Sequence, residues 1–274
     1  MTPEPHPRNR DFTWLAPRGP YRRLTAQQAR DFDEQGFCVL SDALSPELLR
    51  TVIAEIDPWE AKVEAALQSL PDKKIFIARA GEITFTTHLV QRSETLRAFC
   101  ASQLFQDLVH DLVGPDVRLY WDQAVYKKPG TLDDFPWHQD NGYTYIEPQN
   151  YLTVWIALTD ATRDNGCPWI VPGLHRRGTL RHWMTPLGWR CLEEAPDAAC
   201  CEVRAGSAVV FSSLTPHATG PNRTCDVRKS YIVQFAPDGA RIVATNGDGS
   251  ASTEQLCNDA RRQFPILIEG KSPA

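Results

Sequence analysis

The sequence predicts one domain that is mainly β, with helices at its N-terminal end and a barrel or jelly roll as its core. Helix signals are confined to the first 113 residues, and the rest of the chain alternates short apolar runs with Gly, Pro and Asn turns. The length of 274 residues suits a single β domain that buries a large core. We assign residues 1–20, rich in proline and charge, to a flexible arm and residues 21–274 to the domain.

The helical part of the chain opens with a first helix whose two ends are marked. Thr25 and Gln28, three positions apart, form a capping box, and Gly36 is expected to end the helix. The apolar run at residues 37–40 then predicts a short strand, and residues 75–90 are also strand-like.

Three further helices are expected. Ser45 and Pro46 supply an N-cap and a first-turn proline for a second helix, which is predicted to end near Ile56. A third helix is expected from Pro58 to Ser69. Helical periodicity predicts a fourth helix over residues 93–113.

The rest of the chain is predicted to be β, with no internal repeat. Its strands are expected at residues 117–127, 136–146, 151–158, 168–172, 207–212 and 228–236. In the strand at 151–158 the even-numbered residues are all apolar, whereas the other face carries Thr153 and Trp155. We expect the even face to pack against the fold and the odd face to line a site; for Trp155, ordinary sheet packing is the alternative.

Composition argues for small-molecule chemistry. The formal net charge of −5 gives no electrostatic footprint for nucleic acid or for an anionic membrane. The eight cysteines are irregularly spaced and form no C-x-x-C pair, so we expect reduced thiols. The N-terminus has no apolar signal segment, and no apolar run is long enough to span a membrane, so a cytoplasmic protein is predicted.

The most informative motif is the H-x-D triplet of His138, Gln139 and Asp140. Because alternate residues of a strand share a face, His138 and Asp140 can contact one ion while Gln139 points away. His217, distant in sequence, is the predicted third ligand. Two imidazoles and one carboxylate leave open coordination positions, as in non-heme Fe(II) oxygenases. A triplet this short also arises by chance in residues that bind no metal.

A second pair of residues strengthens that interpretation. Arg228 and Ser230 are two positions apart on a predicted strand and therefore share a face. A guanidinium binds a carboxylate through two parallel charge-assisted hydrogen bonds, and a hydroxyl can add a third donor. The pair is therefore predicted to hold the far carboxylate of 2-oxoglutarate, whose keto-acid end can chelate iron.

Several stretches of the sequence resemble the phytanoyl-CoA dioxygenase family of Fe(II)/2-oxoglutarate oxygenases, over residues 22–270. The matching stretches are LTAQQARDFDEQGFCVLSDALSPELL, KKPGTLDDFPWHQD, LTVWIALTDATRDNGCPWIVPGLH and PHATGPNRTCDVRKS. The resemblance implies a double-stranded β-helix core, the jelly roll also found in cupins. It implies Fe(II) as cofactor and 2-oxoglutarate and O2 as co-substrates.

The resemblance also implies the reaction: hydroxylation of an unactivated C–H bond of a small metabolite, with release of succinate and CO2. His138, Asp140 and His217 would be the catalytic metal ligands. In related halogenases a small residue replaces the carboxylate, so Asp140 argues against halogenation. Desaturation, ring closure and epimerisation begin with the same abstraction of hydrogen and stay open.

The resemblance further implies co-substrate contacts for Gln123 and Lys127, which share a face of the preceding strand, and for Thr153. For Lys127, a solvated strand end beside Lys128 is the alternative. Trp155 is assigned with them to the co-substrate pocket.

Residues 175–201 carry little strand pattern, and we expect a long lid-like insertion there. Trp183 and Trp189 are predicted to shape the substrate pocket, whereas most of the arginines in this stretch are expected to be solvated. Two other functions stay open: a jelly-roll metal enzyme without redox chemistry, such as an isomerase, and a catalytically silent small-molecule-binding jelly roll. The sequence indicates no oligomeric state.

Overall fold

A computed structural model describes residues 3–245 and 251–273 of the chain, so the outermost residues of the predicted arm and domain lie outside the described residues. The helices are α1 (Ala26–Gln35), α2 (Pro46–Gln68), α3 (Glu94–Cys100), α4 (Gln103–Leu112) and α5 (Asp140–Tyr143), with short 3-10 helices at Leu89–Gln91 and Leu174–Arg177.

The strands of the first half of the chain are β1 (Phe37–Leu40), β2 (Lys74–Ile75), β3 (Ala78–Arg79), β4 (Ile83–Thr87), β5 (Val117–Lys127), β6 (Phe135–His138) and β7 (Ile146–Glu147). Those of the second half are β8 (Leu152–Ala157), β9 (Pro168–Ile170), β10 (Trp183–Thr185), β11 (Gly188–Arg190), β12 (Ala199–Cys200), β13 (Ala208–Ser212), β14 (His217–Thr219), β15 (Arg228–Pro237), β16 (Arg241–Thr245), β17 (Ala251–Leu256) and β18 (Pro265–Leu267).

The predicted jelly-roll core is confirmed. A large antiparallel sheet has the order β1-β13-β8-β15-β5-β4-β3-β2, with β18 also paired to β5. A smaller sheet has the order β12-β9-β14-β6. Apolar side chains from both sheets, including Val125, Ile170, Phe211 and Ile232, form one buried cluster. The two sheets therefore pack face to face.

The outer face of the large sheet is covered by the N-terminal helices. Leu152, Val154 and Ile156 of β8 share one buried cluster with side chains of α1, α2, α3 and α4. The alternation read from the sequence is therefore confirmed: the even-numbered face of β8 packs under the helices. Thr153 and Trp155 consequently point between the two sheets.

The first predicted helix is confirmed at both ends, whereas the second, third and fourth differ from the prediction in extent. The capping box of Thr25 and the left-handed Gly36 bound α1 as expected. The helix predicted to end near Ile56 instead runs through Pro58 as part of the single helix α2. Beyond the proline, buried Glu60 accepts a 2.8 Å hydrogen bond from Thr84 of β4, so the continued part of the helix is tied to the large sheet. Residues 93–113 form two helices, α3 and α4, instead of one.

The strand predicted at residues 136–146 ends early, at His138, because the chain turns into α5 at Asp140. Gln139 keeps an extended backbone (φ −104°, ψ 144°), so the alternation of side chains persists from His138 to Asp140. His138 and Asp140 therefore share a face as predicted, although only His138 belongs to the strand.

The segment expected to be a flexible arm lies against the domain over residues 3–20. The ring of His6 stacks on Tyr145 at 4.5 Å, and Arg8 forms a 2.8 Å ion pair with Glu147. Trp14 donates a 2.7 Å hydrogen bond to Asp33 of α1. Within the described residues, no helix is both long and apolar enough to cross a membrane.

Candidate active site

The two predicted histidine ligands are cross-strand neighbours in the smaller sheet. His138, at the end of β6, lies opposite His217, at the start of β14, and their ring centroids are 4.1 Å apart. Asp140 Oδ1 lies 3.8 Å from His138 Nε2 and 3.7 Å from His217 Nε2. Each of the three residues offers a ligand atom within 4.8 Å of the others, and no other such group is found among the described residues.

The backbone fixes how both imidazoles point. His138 Nδ1 lies 2.8 Å from the Pro136 carbonyl oxygen, and His217 Nδ1 lies 3.0 Å from that of Thr215. Each Nδ1 therefore carries the proton, and each Nε2 presents its lone pair to the centre. Burial, followed by the nearby His217, holds the pKa of His138 well below its usual range, so this imidazole is in the neutral form that binds metals.

The carboxylate ligand is oriented by a neighbouring strand. Thr153 of β8 donates a 2.5 Å hydrogen bond to Asp140 Oδ2, which leaves Oδ1 facing the two histidines. Gln139 points away, as predicted: its amide donates to the carbonyls of Gly178 and Leu214 and accepts from Leu180 N–H. Gln139 thereby ties the H-x-D segment to the two chain segments beside it.

The three ligands lie in a cavity of about 500 Å³ between the sheets. Alternate residues of four adjacent strands line it, in keeping with the two-residue period of a strand. These are Ile83, Phe85 and Thr87 of β4, Trp121, Gln123 and Val125 of β5, Arg228, Ile232 and Gln234 of β15, and Thr153 and Trp155 of β8. Gln123, Ile232 and Trp155 form one row across three of these strands.

Arg228 is the one cation whose side chain lines this cavity among the described residues. It is only 1% exposed, and its Nε is buried without a hydrogen-bond partner. Its Nη1 donates to Ser230 Oγ at 2.6 Å, and its guanidinium lies 5.4 Å from the Trp155 ring centroid. Burial lowers the pKa of Arg228 to about 10, so the group stays charged and lacks a counter-ion.

Two residues that the sequence analysis assigned to the pocket do not line the cavity. Ser230 does not line the cavity; its hydroxyl accepts from Arg228 and donates to the Val125 carbonyl at 3.1 Å, so it orients the guanidinium. Lys127 does not line the cavity either. It is no solvated strand end, however, because it is buried.

The Lys127 ammonium instead joins backbone segments beside the two ligand-bearing strands. Its Nζ donates to the carbonyls of Gly220 (2.5 Å), Thr219 (3.4 Å) and Asp133 (3.4 Å). Thr219 and Gly220 follow His217, and Asp133 precedes β6. Burial, followed by the nearby Arg228, lowers the pKa of Lys127 to about 7.

The two tryptophans of the predicted lid have different positions. Trp189, on β11, lines the cavity, whereas Trp183 is 38% exposed and lies outside the lining. The segment at 175–201 is no continuous loop, because β10 and β11 form a hairpin within it.

Many lining residues were not assigned from the sequence, and Gln234, Phe135 and Tyr143 are three of them. Gln234 shares the parity of Arg228 on β15, so extending the period-two argument along that strand would have found it. Phe135 and Tyr143 carry no such signal, because they reach the cavity from the end of a short strand and from α5.

The three metal ligands and Arg228 fit the two groups that the sequence analysis predicts, a ferrous ion and 2-oxoglutarate. Two imidazoles and a carboxylate on one side of a centre are the donor set of a ferrous ion with open positions. The orphaned Arg228 guanidinium in the same cavity fits the distal carboxylate of 2-oxoglutarate. A jelly roll with this site defines the class of Fe(II)/2-oxoglutarate oxygenases.

Comparison with known proteins agrees with this class. The phytanoyl-CoA dioxygenase (PhyH) family matches residues 32–230. The chain is 24% identical to a phytanoyl-CoA dioxygenase of Arabidopsis thaliana, over 81% of this chain and 93% of that protein. It is 27% identical to a methylphosphonate hydroxylase of Gimesia maris, over 77% of this chain and 80% of that protein.

The fold is shared with a solved structure of the α-ketoglutarate-dependent carbocyclase SnoK from nogalamycin biosynthesis. The TM-score is 0.67 at 22% identity, over 82% of this chain and 89% of that one. The chain belongs to the phytanoyl-CoA dioxygenase family. It is a dioxygenase that depends on Fe(II) and 2-oxoglutarate and uses O2 as co-substrate.

Removal of either histidine ligand is expected to abolish tight iron binding. Loss of a residue that only orients a ligand typically lowers metal affinity about 10–100-fold, so His138→Ala or His217→Ala should weaken Fe(II) binding by more than about 100-fold. Anaerobic titration of the metal-free protein measures this. His110→Ala, a partly exposed histidine outside the cavity, is the control and should bind iron normally. Normal iron affinity in either ligand variant would contradict the assigned triad.

Replacement of Arg228 by alanine is expected to remove the cation that binds the co-substrate. Breaking a buried ion pair costs about 3–5 kcal/mol, which corresponds to a loss of roughly 10²- to 10^3.5-fold in 2-oxoglutarate affinity. Calorimetric titration of the Fe(II)-loaded protein under anaerobic conditions measures the change. Arg204→Ala, which removes an exposed surface ion pair with Asp42, should leave this affinity unchanged. A loss below about tenfold would show that Arg228 is not the clamp.

Replacement of Lys127 by methionine is expected to loosen the two ligand-bearing strands. It leaves the carbonyls of Gly220, Thr219 and Asp133 without their common donor, at a cost of about 1–3 kcal/mol in the free energy of unfolding. Denaturant unfolding and Fe(II) titration measure the effect, and both should weaken. Lys128→Met, which removes an ion pair with Glu60 beside the site, should leave Fe(II) affinity unchanged. Equal iron affinity in the two variants would contradict this role of Lys127.

Proposed function

We propose that the protein hydroxylates an unactivated C–H bond of a small molecule while converting 2-oxoglutarate to succinate and CO2. One atom of O2 enters the substrate as its new hydroxyl group, and the other enters the new carboxylate of succinate. The observation that supports this most strongly is the uncompensated Arg228 guanidinium in the cavity of the His138, Asp140 and His217 triad. A metal enzyme without a dicarboxylate co-substrate has no use for that cation.

The residues of the site would each have a defined part in holding the reactants. His138, Asp140 and His217 would hold the iron, which when bound supplies the site at which O2 is activated. Arg228 would bind the distal carboxylate of 2-oxoglutarate through its free N–H groups, with Ser230 fixing the guanidinium from behind. Thr153 donates a hydrogen bond to Asp140 Oδ2, the oxygen that does not face the histidines, so that the carboxylate holds one orientation.

The walls of the cavity favour oxidation over acid–base chemistry. Besides the three ligands and Arg228, the titratable groups that line it are Tyr120, Tyr143 and Tyr151. Burial raises the pKa of each of these phenols well above its usual value, so none of them is ionised near neutral pH. An isomerase without redox chemistry needs a general acid or base whose pKa lies near the working pH. This cavity offers no such group in the described residues, which disfavours the isomerase alternative.

We further propose that the hairpin of β10 and β11 helps to shape the substrate pocket. Trp189 lines the cavity from this hairpin, whereas Trp183 is exposed and does not line it. The position of the substrate would decide which product forms after hydrogen abstraction. Hydroxylation is the outcome that needs no further group from the protein.

The decisive experiment mixes the purified protein with Fe(II) and 2-oxoglutarate in the absence of oxygen. We expect a visible absorption band that requires the metal, the keto acid and the protein together, because chelated keto acid exchanges charge with ferrous iron. Succinate in place of 2-oxoglutarate, as the matched control, should give no band. Absence of the band from a folded protein that demonstrably binds iron would reject the proposed function. A band followed by succinate release on admission of oxygen would support it.

A further inference from the structure

The charges within the cavity are already accounted for by the iron and by 2-oxoglutarate. Among the side chains that line it, Asp140 and Arg228 alone are formally charged at neutral pH. Asp140 would be neutralised by the metal and Arg228 by the co-substrate. A charged group of a substrate that entered would therefore lose its hydration without meeting a partner of opposite charge, which strongly disfavours its binding.

A wall of aromatic rings leads from the mouth of the cavity to a metal ligand. Phe76 contacts Tyr143 edge-on, with ring centroids 6.5 Å apart, and Tyr143 stacks on Phe135 at 6.3 Å. Phe135 and Tyr143 then contact the His138 ring edge-on at 5.0 and 5.1 Å. All of these side chains line the cavity. The wall offers apolar ring faces along the route to the iron position.

The mouth itself exposes apolar side chains. Ile75, at the end of β2, and Phe76, in the turn of the β2–β3 hairpin, are 59% and 54% exposed although both line the cavity. Lys74 of this hairpin donates a 3.3 Å hydrogen bond to the Pro186 carbonyl in the turn of the β10–β11 hairpin. Two hairpins in contact thus frame an apolar entrance, a type of surface that marks binding sites.

Basic residues beside the entrance are largely held in ion pairs. Arg79 pairs with Glu82 and with Asp133, and Arg190 pairs with Glu193. Of the described basic residues in the β2–β3 and β10–β11 hairpins and directly before them, only Lys73 and Lys74 lack a carboxylate partner, and Lys74 donates to a carbonyl. Two lysines at one side of the entrance are fewer cations than the several phosphates of coenzyme A would require, and no arginine fork is left free beside them.

We propose that the substrate is an uncharged, predominantly apolar molecule whose ring system lies against the aromatic wall of Phe76, Tyr143 and Phe135. This inference rests on the proposed function, because it assigns Arg228 to 2-oxoglutarate and the triad to iron. The C–H bond to be oxidised would lie at the inner end of the wall, where Phe135 and Tyr143 contact His138. The site would exclude phosphonates, carboxylates and acyl-CoA thioesters.

A fluorescent competition assay tests the substrate class before any substrate is known. Nile red, a neutral dye that brightens in apolar surroundings, is bound to the anaerobic protein loaded with Fe(II) and saturating 2-oxoglutarate. Saturation matters because a free Arg228 would bind any carboxylate. The competitors are 2-acetylnaphthalene and 2-naphthoate, which share one ring skeleton and differ in charge, together with methylphosphonate and palmitoyl-CoA.

We expect 2-acetylnaphthalene to displace the dye at a concentration at least about tenfold lower than 2-naphthoate does, because the carboxylate must be desolvated without a partner. Methylphosphonate and palmitoyl-CoA should displace it no better than 2-naphthoate. Displacement by any of the three anions as readily as by the ketone would overturn the inference. So would failure of both Nile red and the ketone to bind.

A pair of variants tests whether Nile red binds at the aromatic wall. Phe76→Ser removes an exposed ring at the entrance, and we expect it to weaken Nile red binding by about three- to tenfold, the effect of losing one apolar ring contact. Leu132→Ser removes a 74% exposed apolar side chain outside the cavity and should leave dye binding unchanged. Equal dye affinity in the two variants would also overturn the inference.

The absorption band of the iron and 2-oxoglutarate complex distinguishes failure of the proposed substrate class from failure of the proposed function. Phe76→Ser should retain the band at full strength, because Phe76 contacts neither the triad nor Arg228. A normal band with preferential binding of the anions would reject the substrate class alone. Absence of the band from the unmodified protein would reject the proposed function itself.

Discussion

The pairing of β6 with β14 is the constraint on which the rest of the site depends. It places His138 directly opposite His217, although the two residues are far apart in sequence. Because each Nδ1 is bound to a backbone carbonyl two residues earlier in its own chain segment, the pairing also sets the direction of each lone pair. Only one extended residue separates Asp140 from His138, so the position of His138 also fixes the position of the carboxylate ligand. Lys127 reinforces the same pairing from outside the cavity by bridging the segments beside both strands.

The large sheet supplies the co-substrate cation and much of the cavity wall. Its strands are antiparallel and in register, so residues at even positions of β15 and odd positions of β5 and β8 meet in rows on one face. This single face carries Arg228 for the co-substrate, Thr153 for the carboxylate ligand and several apolar side chains of the wall. The opposite face packs under the helices. A two-layer fold thus keeps the chemistry and the stabilising core on different sides of one sheet.

A buried cation without a counter-ion is costly, and its retention in a cavity therefore indicates a ligand. Arg228 is held by Ser230, Trp155 and a backbone carbonyl, none of which neutralises its charge. The rest of the cavity is neutral and rich in aromatic rings, so it separates an ionic compartment for the metal and co-substrate from an apolar compartment that opens to solvent. This separation links the proposed reaction to the proposed substrate class, since the binding of one anion leaves no cation for a second.

The sequence by itself determined the local features: the capped helix α1, the alternating faces of β5, β8 and β15, the sharing of one side by His138 and Asp140, and the family. These depend on spacing and on interactions within a few residues, which the sequence records directly. The tertiary structure alone decided that Lys127 lies behind the cavity, although it shares the parity of Gln123, and that Thr153 binds Asp140. It also decided the continuity of α2 through Pro58 and the meeting of Phe76, Tyr143 and Phe135. Those outcomes depend on which strand ends and loops lie opposite one another, and spacing along the chain carries no information about that.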